Sequence, residues 1–234
     1  MTTTHLAAAV ITIALCSFAG FSQSTIVINT PGEETAKAEL SIAEKRLMDR
    51  TILPKARKRL SGEACEESVE IAGIVHGTFI RAGAVQTLVF YQFCQTGNGL
   101  GSVGVAVFEG NRVVANLLSE ESGQTVGAKV LPDINQNGLN EVALYYSGGM
   151  HQGSGGTGVD IMEFSGTALK GIGWFQAYRF TEKSSFSFKV SAKPGTPPQF
   201  FSEKWSSYKG KYRRVGGAVP LKLKPVFGKF EAVK

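Results

Sequence analysis

The sequence predicts a mainly β fold of antiparallel sheets with an N-terminal helical segment. Three observations predict it. Glycine is abundant, at 28 of 234 residues, and many glycines fall between short apolar runs, where turns belong. Phenylalanine, at 15 residues, suits half-buried strands. From Ile71 onward the apolar residues alternate or run in short stretches, whereas residues 33–62 are rich in Ala, Glu, Lys, Arg and Leu. A chain that is 43% hydrophobic and 19% charged builds a core and does not read as disordered.

Residues 1–24 read as a signal peptide. They contain no Asp, Glu, Lys or Arg, and 6–21 is an apolar run. Ser17 and Ala19, or Ser22 and Ser24, are small residues at the spacing a signal peptidase needs. The run is short for a spanning helix, which needs about 20 apolar residues. The expectation is export to the periplasm or the medium. No other stretch is long and apolar enough to span, so no transmembrane segment is expected after cleavage.

Residues 25–66 read as a helical leader segment. Its first part, 25–32, is extended. Leu40, Ile42, Ala43 and Leu47 can share one face of an amphipathic helix. Pro54 is expected to break or kink it. The helix is basic at 55–59. It reads as packed on the domain or, in an alternative, as lying on a membrane surface held by an uncleaved signal.

Three cysteines are present, and Cys16 would leave with the signal. Cys65 and Cys94 then form an even pair in an oxidising compartment, and a disulfide between them is expected. Closing a loop of roughly 30 residues stabilises by about 3 kcal/mol in the chain-entropy model.

Residues 67–234 read as one all-β domain. Strands are expected over 71–80, 86–94, 103–108, 112–118, 127–131, 142–146, 159–164, 170–180, 187–191 and 211–215, with a last one near 221–225. Turn signals separate them, including "SGGMHQGSGGTG" at 147–158 and "KPGTPP" at 193–198. The second of these is a candidate boundary for a C-terminal subdomain. No strict internal repeat is visible.

The stretch "LPDINQNGLNEVALYYSGG", 131–149, carries the chemistry. Counting from Asp133, oxygen-bearing side chains occur at positions one, three and five: Asp133, Asn135 and Asn137. Gly138 follows at six and Glu141 stands at nine. Ca²⁺ takes six to eight oxygen ligands in a compact wrap, and the Leu139 carbonyl could supply another. Position twelve is Leu144, not the bidentate Glu of an EF-hand, and a strand follows rather than a helix. A metal-free reading stands beside this one. Asp and Asn side chains bond their own backbone two residues on, making turns that need no ion.

The loop resembles the calcium loop of FG-GAP and VCBS-type repeats, D-x-[DN]-x-[DN]-G-x-x-[DE] followed by a strand. Residues 73–93, "GIVHGTFIRAGAVQTLVFYQF", loosely resemble the glycine–phenylalanine start of such a repeat. The resemblance implies blades of a β-propeller in an exported protein, with Asp133, Asn135, Asn137, Leu139 through its carbonyl, and Glu141 as Ca²⁺ ligands. With Asn at positions three and five, binding is expected to be weak. One clear loop and too few strands for a closed ring imply a partial or shortened propeller.

Other motifs are weaker. Gly153, Gly155 and Gly158 satisfy G-x-G-x-x-G, but a strand follows where a dinucleotide site needs a helix. The glycine-rich stretch reads instead as a hairpin loop, flanked by Tyr145, Tyr146, His151 and Gln152, groups that suit polar ligands. His76 reads as a core or edge residue. An extracytoplasmic hydrolase using the glycine-rich loop region is the enzymatic alternative, with His76, His151, Asp160 and Glu163 as the residues whose replacement would test it. The net charge is +6, with cations at Lys204, Lys209, Lys211, Arg213, Arg214, Lys222, Lys224 and Lys229. Interleaved with aromatics over 200–214, they read as strands with one wet face, or as an anion- or polysaccharide-binding face. The functional expectation is a non-catalytic binding or scaffolding protein of the cell envelope. Its partner would be a polysaccharide or an envelope protein, and nucleic acid is not expected.

Overall fold

A computed structural model describes residues 24–33, 35, 39–59, 69–93, 101–151, 153–209 and 211–233. Residues 1–23 of the expected signal peptide, and both members of the expected Cys65–Cys94 disulfide, lie outside the described residues.

The chain opens with β1 (Ile26–Asn29). A helix follows, made of α1 (Ile42–Leu47), a π-helical turn Met48–Ile52, and α2 (Leu53–Arg59). Four strands then form a meander: β2 (Glu70–Gly77), β3 (Gln86–Phe93), β4 (Gly101–Glu109) and β5 (Arg112–Ser122). A second meander follows, with β6 (Gln124–Leu131), β7 (Glu141–His151), β8 (Ser154–Ser165) and β9 (Ala168–Phe180). The chain continues through β10 (Ser185–Lys193), β11 (Gln199–Tyr208), β12 (Lys211–Arg214), β13 (Val219–Pro220) and β14 (Glu231–Ala232).

The fold is mainly β, in two antiparallel sheets. The smaller runs β14-β5-β4-β3-β2, and the larger runs β12-β11-β10-β9-β8-β7-β6. One of the two sheets curls strongly into a half-barrel. Only Ser185–Ser187 of β10 pair with β9. Farther on, β10 takes β1 alongside, with Ile26 opposite Ala192. The segment that reads as an extended leader is therefore partly a strand of the domain. β11 is bonded to β10 over nine residue pairs, so the turn at 194–198 does not mark a break in the sheet. Residues 221–225, expected as a strand, form none: Leu221 N–H donates to the Phe200 carbonyl, and Lys224 makes an isolated bridge in which its N–H and C=O both bond Trp174.

The helix begins where sequence chemistry tells it to. Ser41 Oγ accepts from Glu44 N–H at 3.2 Å, and Glu44 Oε2 accepts from Ser41 N–H at 2.8 Å, a reciprocal cap. Its buried face is Met48, Ile52 and Ala56, four residues apart, with Leu40 just before it. Ile42, expected on that face, is 72% exposed. Pro54 does not break the helix. It stands in the first turn of α2, where its missing N–H is tolerated, and the wide π turn before it absorbs the mismatch.

Three buried layers result. The helix covers the outer face of the smaller sheet through Val89, Tyr91, Phe93, Ala106 and Phe108. Leu88, Phe90 and Val105 on the other face meet Val142, Leu144, Tyr146, Met162 and Phe164 of the larger sheet. The far face of the larger sheet, with Ala143, Tyr145 and Ile161, is closed by Ile28, Val190 and Ala192.

The turn between β2 and β3 matches the turn between β6 and β7. Gly83 and Gly138 both adopt positive φ, at 74° and 86°. Three residues later stand Gln86 and Glu141, each the first residue of its strand. Gln86 Oε1 accepts from Phe79 and Ile80 N–H at 2.9 and 2.8 Å, and Glu141 Oε2 accepts from Ile134 N–H at 2.8 Å. In this register Leu88 and Phe90 correspond to Ala143 and Tyr145. The first pair faces the inter-sheet core and the second faces away from it. The two meanders therefore stack in the same sense, the front of one on the back of the next.

Candidate functional site

The loop from Asp133 to Glu141 is tied down from three sides. Within it, Asp133 Oδ1 accepts from Asn137 N–H at 3.0 Å and Oδ2 from Gly138 N–H at 2.7 Å. Asn135 Oδ1 accepts from Asn137 N–H, and Asn137 Oδ1 from Leu139 N–H at 2.8 Å, the short-range bonds expected of Asx turns. The turn at 195–197 closes one side. Gly195 N–H donates to the Ile134 carbonyl at 3.0 Å, and Thr196 Oγ1 donates to the Asn135 carbonyl at 2.9 Å. On another side Asn140 bonds to Thr78 of the preceding meander.

Glu163 completes the surroundings. It lies on β8, and its Oε2 accepts from Asn135 Nδ2 at 2.5 Å. From the sequence it reads only as one of a pair of carboxylates with Asp160. Its place beside the loop depends on the pairing of β7 with β8, which puts Met162 opposite Val142. No local pattern signals that.

Glu141 is the unusual member. It is 1% exposed, and its Oε1 is buried with no hydrogen-bond partner. Burial pushes its carboxyl up to about 7, against the pull of the Ile134 N–H, and the charges of Asp133 and Glu163 add to the rise. A buried carboxylate oxygen without a donor is costly when ionised. A cation on the loop would remove that cost.

The structure brings Asp133, Asn135, Asn137, Leu139 and Glu141 into one turn beside Glu163. Among the described residues, no group of three or more His, Cys, Asp or Glu could hold a metal ion. A cation here would therefore draw mainly on amide and carbonyl oxygens. An all-oxygen set with few charges suits Ca²⁺ rather than Zn²⁺ or Cu²⁺, and suits weak binding.

The remaining candidates are dispersed. Asp160 and Glu163, odd-spaced on β8, point to opposite faces of the sheet. Asp160 is buried and accepts from Phe227 N–H at 2.9 Å and Gly228 N–H at 2.7 Å, so it anchors the C-terminal segment. His76 is exposed on β2 with Nδ1 3.1 Å from Thr87 Oγ1. Gln152 lies outside the described residues. Most of the stretch 147–158, expected as a loop, is strand: Ser147 pairs with Thr157 and Gly148 with Gly156. Tyr145 and Tyr146 point to opposite faces, Tyr146 to the inter-sheet side. The G-x-G-x-x-G glycines lie in this hairpin and open no helix.

The basic helix spends its apolar face on the smaller sheet. Among the described residues, no helix is long and apolar enough to cross a membrane. Several cations of the last third have partners: Arg214 lies 3.0 Å from Glu203, and Lys204 sits 3.7 Å over the Phe186 ring.

Comparison of the chain with protein-family models, with curated proteins and with solved structures finds no match.

Proposed function

We infer that this chain is an exported, non-catalytic binding protein of the cell envelope whose 133–141 loop takes a weakly held Ca²⁺. The observation that carries the calcium reading is Glu141. Its buried, unpartnered Oε1 sits in a turn of oxygen donors with two further carboxylates near it. Asp133 and Glu141 would supply the charge, Asn135 and Asn137 amide oxygens, and Leu139 its carbonyl. The ion would fix the turn and the strand β7 that leaves it. Export rests on the apolar N-terminus.

The same reading takes the two meanders as successive blades of a shortened propeller of the FG-GAP/VCBS kind. It is supported by the same-sense stacking of the meanders and by the matched turns at Gly83 and Gly138. On this reading the helix covers the face where a preceding blade would stack. The flap of β1, β10 and β11 covers the face where a following one would.

Calorimetric titration of Ca²⁺ into the chelator-stripped mature protein tests the proposal. Heat and a raised melting temperature are expected, and both should vanish in Asp133→Ala and in Glu141→Gln. Absence of binding at about millimolar Ca²⁺, the weak end of extracellular modules, would leave the loop a metal-free turn.

A further inference from the structure

The far end of β7 borders a cavity of about 360 Å³, within the size range of small-molecule sites. Its floor is the glycine-rich hairpin, and glycine is required there. A Cβ on Gly158 would lie 2.4 Å from Trp174 Nε1, and one on Gly156 would lie 2.2 Å from the Tyr178 carbonyl oxygen. The indole thus lies across β8, in a trough that side chains on the floor would fill.

Three features of the walls point to a ligand. First, Tyr146 lines the cavity, is 4% exposed, and has a buried hydroxyl with no hydrogen-bond partner. Buried hydroxyls are ordinarily paired. Second, a bulge opposite Thr157 and Gly158 inserts Ala177 into β9. It turns Arg179 to the same face as Trp174 and Gln176, where regular alternation would have turned it away. Third, among the described residues no carboxylate pairs with Arg179, although it lines the cavity. Asp160 is committed below, to the N–H groups of Phe227 and Gly228.

We propose that this cavity binds an acidic saccharide, a pyranose unit bearing a carboxylate. The ring's C–H face would lie on Trp174 and the half-exposed Phe227. Its hydroxyls would meet Tyr146 and Gln176, and its carboxylate would meet the planar guanidinium of Arg179. The proposal names the ligand of the binding reading above and rests on it. It does not rest on the calcium loop, which lies at the opposite end of β7.

The test is ¹⁵N NMR of the mature protein, following the Trp174 indole N–H, with oligogalacturonate and its uncharged methyl ester as probes. Oligogalacturonate should shift that resonance. Arg179→Gln should weaken its binding about tenfold, a loss of one charge-assisted contact, and leave the ester unchanged. Tyr146→Phe should weaken both. Arg179 is exposed, so its variant should fold whatever happens at Tyr146. No shift at about 10 mM of either probe overturns the proposal, since that is weaker than a specific site would be. So does binding that Arg179→Gln leaves unaltered, or an equal response to inorganic phosphate. Failure here with Ca²⁺ binding intact removes the saccharide and leaves the loop reading standing. The reverse result removes the metal alone.

Discussion

Asn140 and Thr78 exchange hydrogen bonds across the two sheets. Thr78 N–H donates to Asn140 Oδ1 at 2.8 Å, and Asn140 N–H donates to the Thr78 carbonyl at 2.7 Å. Asn140 Nδ2 also reaches the Leu131 carbonyl at 3.0 Å. One side chain therefore joins the two matched turns and closes its own loop. Asn140→Ala leaves an amide and a carbonyl without partners in a part-buried place. The expected cost is about 1–3 kcal/mol, read as a lower urea midpoint with an unchanged m-value.

Glu141 predicts a pH dependence with a definite sign. Its folded carboxyl is raised to about 7 by burial, so the unfolded chain ionises first. In the absence of metal, this group's effect on stability is most favourable below the unfolded value and is lost as pH rises through about 7. Glu141→Gln keeps an acceptor for Ile134 and removes the charge. The metal-free variant should gain up to about 3 kcal/mol over the parent at pH 8 and little at pH 4. Paired urea melts at the two pH values, in chelator, decide this. An unchanged difference would mean that Glu141 is not ionised under strain.

Calcium should compete with that proton. Below about pH 7 the Glu141 carboxyl holds a proton that Ca²⁺ must displace. Affinity should fall as pH drops from 8 to 6, and binding at pH 6 should release about one proton. Titration in two buffers of different ionisation enthalpy measures the release. A pH-independent affinity would remove Glu141 from the ligand set.

What was legible in the sequence followed local periodicity and turn chemistry. "QTLVFYQF" reads as a strand, and β3 is buried along its whole length. The Asp133–Glu141 turn reads as one unit because its bonds span few residues. The misreadings have physical causes. The sequence offers Ile42 for the helix face, but Ile42 stands roughly 120° around the helix from Met48, and burial follows Met48, Ile52 and Ala56. Residues 147–158 read as loop because glycine is a poor strand former, yet Gly156 and Gly158 are strand residues where neighbouring side chains and backbone leave no room for a Cβ. The match of Gln86 with Glu141 joins unlike residues that accept similar backbone bonds. Glu163 and Arg179 reach their sites through strand pairing and a bulge, which no local pattern encodes.

Asp160 should matter for stability rather than catalysis. Its two oxygens each accept one backbone N–H, and an amide offers a single acceptor for both. Asp160→Asn should cost about 1–3 kcal/mol and loosen the C-terminal segment. Burial raises the Asp160 carboxyl to about 6, so its charge is disfavoured in the fold. The parent therefore loses stability from this group as pH rises through about 6, and the variant does not. The deficit of Asp160→Asn should be larger at pH 4 than at pH 8. Thermal unfolding at both values checks it, with hydrogen exchange at Phe227 and Gly228 as the local readout.

The glycine floor makes a prediction that separates steric need from mere tolerance. At Gly158 a Cβ meets the indole of Trp174, a rigid ring that must swing away as a whole. At Gly148, which lines the same cavity, a Cβ meets nothing within 4 Å. Both are strand positions without positive φ, so backbone preference does not distinguish them. Gly158→Ala should cost about 1–3 kcal/mol through overpacking and shift the Trp174 emission as the ring becomes more exposed. Gly148→Ala should stay within about 0.5 kcal/mol of the parent, as surface changes usually do. Equal effects of the two would mean that Trp174 does not lie across β8.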